Sequence, residues 1–349
     1  MTATLRPLPH APSARSGRRR HGIALRPISL AACLAAAAPA GFALPQGEVP
    51  TFGEATVSRP APDRMDIRQT TPRAGLDWTS FSIAAGERVN VQQPSRDAVL
   101  LNRVLGDDPS LIYGSLSSNG SVWLINPRGI VFGASSRVDV GSLVASTLVI
   151  TQDDVASGRL QLGRGAGAGT LRADGDITAV DSVVLVAPQL DVTGSIAARR
   201  VGLAAASEVL VDLDGDGLVF FNVRNDALES RLQMLGRVRA DGGVADLRAA
   251  ARAGLTDTVL NLEGVVQART LGVRAGRIVI DGGSEGVTRI AGTLDAQGAD
   301  AGSRGGDVLV QGRRILLDRG AHRRQRPGRG RRRADRWGLP GGEPRRAPR

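Results

Sequence analysis

Apolar residues come along this chain in short runs of strand length, such as Val183-Val184-Leu185-Val186, Val209-Leu210-Val211 and Ile278-Val279-Ile280. Gly, Asp and Asn punctuate the runs, which predicts many short strands joined by turns. The runs also recur. The pattern Gly-x-[Leu/Ile/Val]-x-Ala occurs six times, beginning at Gly141, Gly169, Gly194, Gly236, Gly264 and Gly292, and its spacing is nearly even except between Gly194 and Gly236. A degenerate relative, Gly114-Ser115-Leu116-Ser117-Ser118, lies one such interval before Gly141. Three short strands and three turns per unit, stacked on like neighbours, make a β-solenoid whose inward apolar side chains form one long core.

The long interval from Gly194 to Gly236 then reads as one coil carrying an insertion or as two irregular coils. A β-propeller is the competing repeat architecture, but its blades are longer and carry aromatic signatures absent here. Residues 44 to about 140 are less periodic and hold Trp78, Phe81, Tyr113, Trp123 and Phe132. They read as the cap that an open solenoid end requires, because unpaired strand edges template aggregation.

Composition agrees with this reading: 42% apolar residues suffice for a continuous core, and 45 glycines with only 3% aromatics suit frequent turns. The net charge of +11 suggests a nucleic-acid partner until it is located. Residues 1–43 hold six arginines and no acid, and residues 320–349 hold eleven arginines against Asp335 and Glu343. That leaves 28 arginines against 32 acids in residues 44–319, a mildly acidic body with no broad field for phosphate, so no nucleic-acid partner is expected. All 45 basic residues are arginine, which fits the codon bias of a GC-rich gene.

The two ends have separate readings. An Arg-rich start, an apolar stretch from Ile28 to Ala40, and small residues Gly41 and Ala43 predict an export signal over residues 1–43 and a mature chain beginning at Leu44. Leu30-Ala31-Ala32-Cys33 is a weaker lipoprotein-like alternative. The mature chain has no apolar segment of transmembrane length. Its only cysteine, Cys33, falls in the signal, so no disulfide is expected, as suits a chain that threads a pore unfolded. After Arg319 the periodicity gives way to Arg323-Arg324-Gln325-Arg326-Pro327, read as a disordered basic tail over residues 320–349 or as a frameshift.

Candidate chemistry is sparse. The three histidines, His10, His21 and His322, lie outside residues 44–319, which excludes Ser-His-Asp and Cys-His catalysis and the usual zinc sites there. Asp107-Asp108 and Asp153-Asp154 read as solvated turns rather than as acid/base pairs. Asp212, Asp214 and Asp216 open a calcium-loop pattern, but its twelfth position is Val223 instead of a bidentate Glu, leaving a weak calcium candidate. No cofactor and no enzymatic activity are expected. The competing function is an extracellular polysaccharide-processing β-helix enzyme using paired carboxylates.

Several motifs in sequence point further: Trp78-Thr79-Ser80-Phe81-Ser82-Ile83, Gln93-Pro94-Ser95, Leu101-Asn102-Arg103-Val104, Asn119-Gly120, and Leu124-Ile125-Asn126-Pro127-Arg128-Gly129-Ile130-Val131-Phe132-Gly133. Together they resemble the N-terminal secretion domain of filamentous haemagglutinin-like exoproteins of two-partner secretion. The resemblance is strongest from Leu44 to about Ile150, with β-helix repeats over 151–319. Arg128 stands where that family usually has Asn, and its second Asn-Pro motif is absent. The resemblance implies an all-β, right-handed parallel β-helix with an N-terminal cap. It implies secretion through the periplasm, recognition by the periplasmic domains of an outer-membrane β-barrel transporter, and a final place outside the cell or on its surface. It also implies adhesion, haemagglutination or cell-contact functions toward a host-cell or carbohydrate ligand. Asn126, Pro127, Arg128 and Gly129 are the expected secretion motif.

Overall fold

The computed structural model describes residues 43–150, 160–163, 169–211, 221–224, 230–250, 258–299 and 303–318. The signal before its last residue Ala43, the calcium candidate Asp212, Asp214 and Asp216, all three histidines, Cys33 and the tail after Asp318 lie outside these residues. Among the described residues every regular element is a strand. The strands wind into a right-handed parallel β-helix with three faces. Among the described residues no propeller blade forms, because successive equivalent strands pair in parallel across coils rather than antiparallel within a blade.

One coil shows the plan. Ser115–Ser118 lies on the first face, Ser121–Ile125 on the second and Ile130–Phe132 on the third. The first face is a ladder from Arg64–Gln69 to Thr293–Asp295, and the second runs from Arg73–Trp78 to Asp307–Gln311. The third runs from Ser110–Ile112 to Arg314–Leu317. In-register pairing brings like residues above like. Leu116, Val138, Ile177, Ile196, Val238 and Val266 form one aliphatic stack on the first face. All six are at most 2% exposed, and each such burial contributes about 1.5–3 kcal/mol.

The repeat signature maps onto this ladder in part. Gly194, Gly236, Gly264 and Gly292 occupy one corner of successive coils, each preceding a first-face strand. An added Cβ at Gly236, Gly264 or Gly292 would lie 2.0 Å from the carbonyl oxygen of the preceding glycine in the stack, so the corner excludes any side chain. Gly141 and Gly169 match the pattern but introduce strands on the second and third faces. Their true counterparts at the corner are Ser136 and Gly175, which precede Arg137 and Asp176 of the first-face ladder. Gly175 and Gly194 stand closer in sequence than any two glycines of the signature, because the coil between them has short turns. The long interval from Gly194 to Gly236 is one coil with an insertion, since Arg200–Ala205 and Arg231–Met234 belong to the same turn of the helix, with Glu208–Val211 and Phe221–Arg224 between them.

The cap is shorter than the periodicity suggested. Among the described residues Val49–Phe52 and Ala55–Ala61 are the strands that pair antiparallel onto the first coil, with an antiparallel bridge from Gln46 to Ser80, and the parallel ladder has begun at Arg64. The coils of residues 64–140 also bury polar side chains, among them Gln69, Gln93 and Asn102; Asn102 stands in register with Leu124, whose column continues as Ala145, Leu185 and Leu203.

A second apolar cluster lies outside the helix. Leu101, Trp123, Val144, Val184 and Ala204 point outward from the second face. Phe52 of the cap covers one end, while Leu148, Ile150, Leu162 and Val209 cover the other. Leu162 and Val209 come from a small antiparallel sheet in which Leu160–Leu162 pairs with Glu208–Val211, and the latter with Phe221–Arg224.

Candidate functional site

The four expected motif residues form one turn from the second face to the third, between Ile125 and Ile130. Proline makes the preceding Asn126 favour an extended backbone, and an Asx turn follows: Arg128 N–H donates to Asn126 Oδ1 at 2.9 Å. Gly129 N–H donates to the Asn126 carbonyl at 3.1 Å, and Gly129 has φ +131°, a region open to glycine. The turn is tied to both neighbouring coils. Asn126 Nδ2 donates to the Asp108 carbonyl and to Ser110 Oγ, both at 3.0 Å, while Ser110 N–H donates to the Gly129 carbonyl at 3.0 Å. On the other side Gly169 N–H donates to the Pro127 carbonyl at 2.9 Å, and Asn126 N–H to the Ser146 carbonyl at 3.0 Å.

This arrangement divides the motif. Asn126 is fully buried and Gly129 buried, Pro127 is half-buried, and Arg128 is exposed. Arg128 pairs with Asp107 at 2.6 Å, but with side-chain exposures of 47% and 89% the pair contributes about 0–1 kcal/mol. Asp107 therefore belongs to the surface of this corner. The turn also sits well inside the ladder, three coils in, rather than at the junction of cap and solenoid.

The other motifs send Trp78, Phe81, Gln93 and Asn102 into the interior, while Thr79, Pro94 and Ser95 are exposed. Trp78 Nε1 donates to Asn102 Oδ1 at 3.1 Å, and Trp78 packs edge-on against Phe81 with ring centroids 5.4 Å apart. Gln93 Nε2 donates to Gln69 Oε1, the Ala98 carbonyl and the Ser121 carbonyl, while its Oε1 accepts from Ser118 Oγ. Asn119 and Gln93 exchange side-chain and backbone hydrogen bonds at 2.8 Å. These polar side chains satisfy one another in the wall of the early coils, where an unpaired buried group would be costly. Gln69 of this network, and likewise the buried Ser110 and Glu87, escaped the sequence reading, since an isolated polar residue carries no periodic signal.

Ion pairs link coils elsewhere. Asp181 meets Arg199 and Arg200; burial raises its carboxyl pKa, but the two guanidiniums outweigh that and hold it below the ordinary value. Asp241 is similar: burial is again the largest influence, yet hydrogen bonds from Gln267, Arg269 N–H and Arg239 leave its pKa lowered. Asp246, at 3% exposure, goes the other way, pushed up by burial despite its bond to Arg248. A groove of about 410 Å³ on the second face has Val99, Trp123 and Val144 in its lining, with Arg96, Asp181 and Arg199. Among the described residues no three His, Cys, Asp or Glu converge as metal ligands.

A family model described as the TPS (two-partner secretion) secretion domain matches residues 42–302. The chain belongs to the TPS secretion domain family. The match continues well beyond Ile150 through the coils that carry the glycine corner. A structural match is the secretion domain of HMW1 from Haemophilus influenzae, with TM-score 0.71 and 26% identity, covering 79% of this chain and 72% of that one. Two curated relatives, both heme/hemopexin-binding proteins of Haemophilus influenzae, are 37% identical over 120 residues and 32% identical over 208 residues. These alignments cover 34% and 56% of this chain, and the chain spans only 13% and 23% of the relatives' lengths. The TPS secretion domain is a secreted exoprotein module, and no helix among the described residues is long and apolar enough to cross a membrane.

Proposed function

We propose that this chain is the export module of a two-partner-secretion exoprotein, cleaved after Ala43, recognised in the periplasm by an outer-membrane β-barrel transporter, and folded outside the cell as a β-helix. The family match over residues 42–302 carries this reading. Its recognition surface is the corner that presents Pro127 and Arg128, with Asp107 beside them. Asn126 and Gly129 position that corner from inside and do not touch the transporter. The output of the exoprotein is adhesive, toward a host-cell or carbohydrate ligand. Residues 44–319 contain no His and no Cys, so the heme-related name of the curated relatives is not carried over to this chain.

The test is co-expression with the partner transporter, comparing secreted with periplasmic protein for Arg128→Glu, Asn126→Ala and wild type. Arg128→Glu lowers secretion with its thermal midpoint unchanged. Asn126→Ala lowers secretion together with the midpoint. Wild-type secretion of Arg128→Glu rejects the exposed corner as a recognition surface.

A further inference from the structure

The carboxylate of Glu87 is enclosed at the start of the chain. Glu87 is 3% exposed, its Oε2 accepts Ala84 N–H at 2.6 Å, and its Oε1 accepts Ala43 N–H at 2.7 Å. Glu87 N–H in turn donates to the Ala84 carbonyl at 3.0 Å, closing a turn through Gly86, where φ is +89°. Among the described residues no arginine forms an ion pair with it. A buried carboxylate held only by two amides lacks the counter-charge that such burial calls for.

We propose that the terminal ammonium of Leu44, produced when the chain is cut after Ala43, is the counter-ion of Glu87, so that processing completes the cap. The proposal rests on residues 1–43 being an export signal. Hydrolysis of the Ala43–Leu44 peptide bond by a signal peptidase adds water, leaves a carboxylate on Ala43 and an ammonium on Leu44. The cut removes the Ala43 N–H that Glu87 Oε1 accepts and creates a cation at the next residue, a span of at most about 3.6 Å. Leu44 is already fixed there. Its side chain is 4% exposed in the main core, and its carbonyl accepts Gln46 Nε2 at 2.8 Å. Gln46 itself pairs with Ser80, N–H to carbonyl, at 2.9 Å. Before processing the acceptor holds a neutral amide; afterwards it holds a charge, joining the first residue of the mature chain to the turn at Ala84–Glu87.

The absence of lysine makes the test direct. All 45 basic residues are arginine, so the Leu44 amine is the only primary amine in residues 44–349. That chain is released from a cleavable fusion partner so that Leu44 comes first, and is treated with an N-hydroxysuccinimide ester near the usual α-amino pKa of about 7.7–8.0. The folded wild type is acylated about tenfold more slowly than folded Glu87→Gln, one pKa unit of protection, and the two react equally in denaturant. N-acetylation lowers the thermal midpoint of the wild type more than that of Glu87→Gln. Equal native acylation rates, or equal losses on acetylation, overturn the ion pair. N-terminal sequencing of the exported protein separates the two failures: a first residue other than Leu44 rejects the processing, whereas Leu44 first with equal rates rejects only the pairing.

Discussion

Asn126 Nδ2 lies 3.0 Å from Ser110 Oγ, and through this bond the turn of one coil is fastened to the first residue of a strand in the coil before it. The same nitrogen reaches the Asp108 carbonyl, so a single buried amide closes its own turn and ties two coils together.

Asn126→Ala is therefore expected to cost about 1–3 kcal/mol, the range for leaving buried partners unsatisfied. Ser110→Ala costs less, because Asn126 Nδ2 keeps the Asp108 carbonyl. Urea denaturation of both variants checks the order. A cost for Asn126→Ala smaller than that for Ser110→Ala contradicts it.

Gly129→Val places a β-branched residue at φ +131°, with the Thr170 carbonyl oxygen 3.3 Å from the new Cβ. Backbone strain of this kind costs about 1–3 kcal/mol. The urea midpoint should fall accordingly, and an unchanged midpoint would mean the turn has another conformation.

Gly236→Ala tests the glycine corner. Its Cβ would meet the Gly194 carbonyl oxygen at 2.0 Å, and the coils must separate locally at a cost of about 1–3 kcal/mol. Gly163→Ala is the control: nothing lies within 4 Å of its Cβ, so the change should stay within about 0.5 kcal/mol. Similar losses for the two would show that stacking does not select glycine at the corner.

The buried acids give opposite pH slopes. Asp246 is held above its ordinary value of 3.8, so it binds its proton more tightly in the folded chain and its contribution falls as pH rises from 3.8 through the folded value. Asp246→Asn should gain on the wild type across that rise. Arg248, Arg277 and Asp281 all bear on this site and are kept. Asp181 is held below 3.8, so its contribution is present above that value and is lost as pH falls through the lower folded value. Asp181→Asn should lose on the wild type as pH rises through that acid window and then run parallel to it. Urea midpoints across the range measure both slopes, and slopes of equal sign reject the assignment.

The fold was legible where one residue type solves one geometric problem repeatedly. Gly194, Gly236, Gly264 and Gly292 recur because each abuts a carbonyl below, and that contact fixes both residue and period. Gly141 and Gly169 misled for the same reason. Glycine is also needed where the chain crosses to another face, since a Cβ at Gly141 would lie 2.7 Å from the Gly120 carbonyl oxygen and one at Gly169 2.5 Å from the Arg128 carbonyl carbon. The early coils read as a long cap because Gln69, Gln93 and Asn102 replace the aliphatic rhythm with hydrogen bonds spaced a coil apart. The Asn126 turn was visible as Asn-Pro-x-Gly; that its asparagine faces inward and its arginine outward was not, because the direction is set by Asp108 and Ser110, in the preceding coil.

The small sheet outside the helix bears on time as well as stability. Leu160 pairs with Val211, a separation well above that between coil neighbours such as Val238 and Val266. Loop closure over that distance comes later than pairing between neighbouring coils. Val144, Val184 and Val186 are then covered in part by Leu148, Ile150 and Leu162, and the cover is complete when Val209 docks. The sheet works as a late fastener: its loss would speed unfolding more than it slows folding.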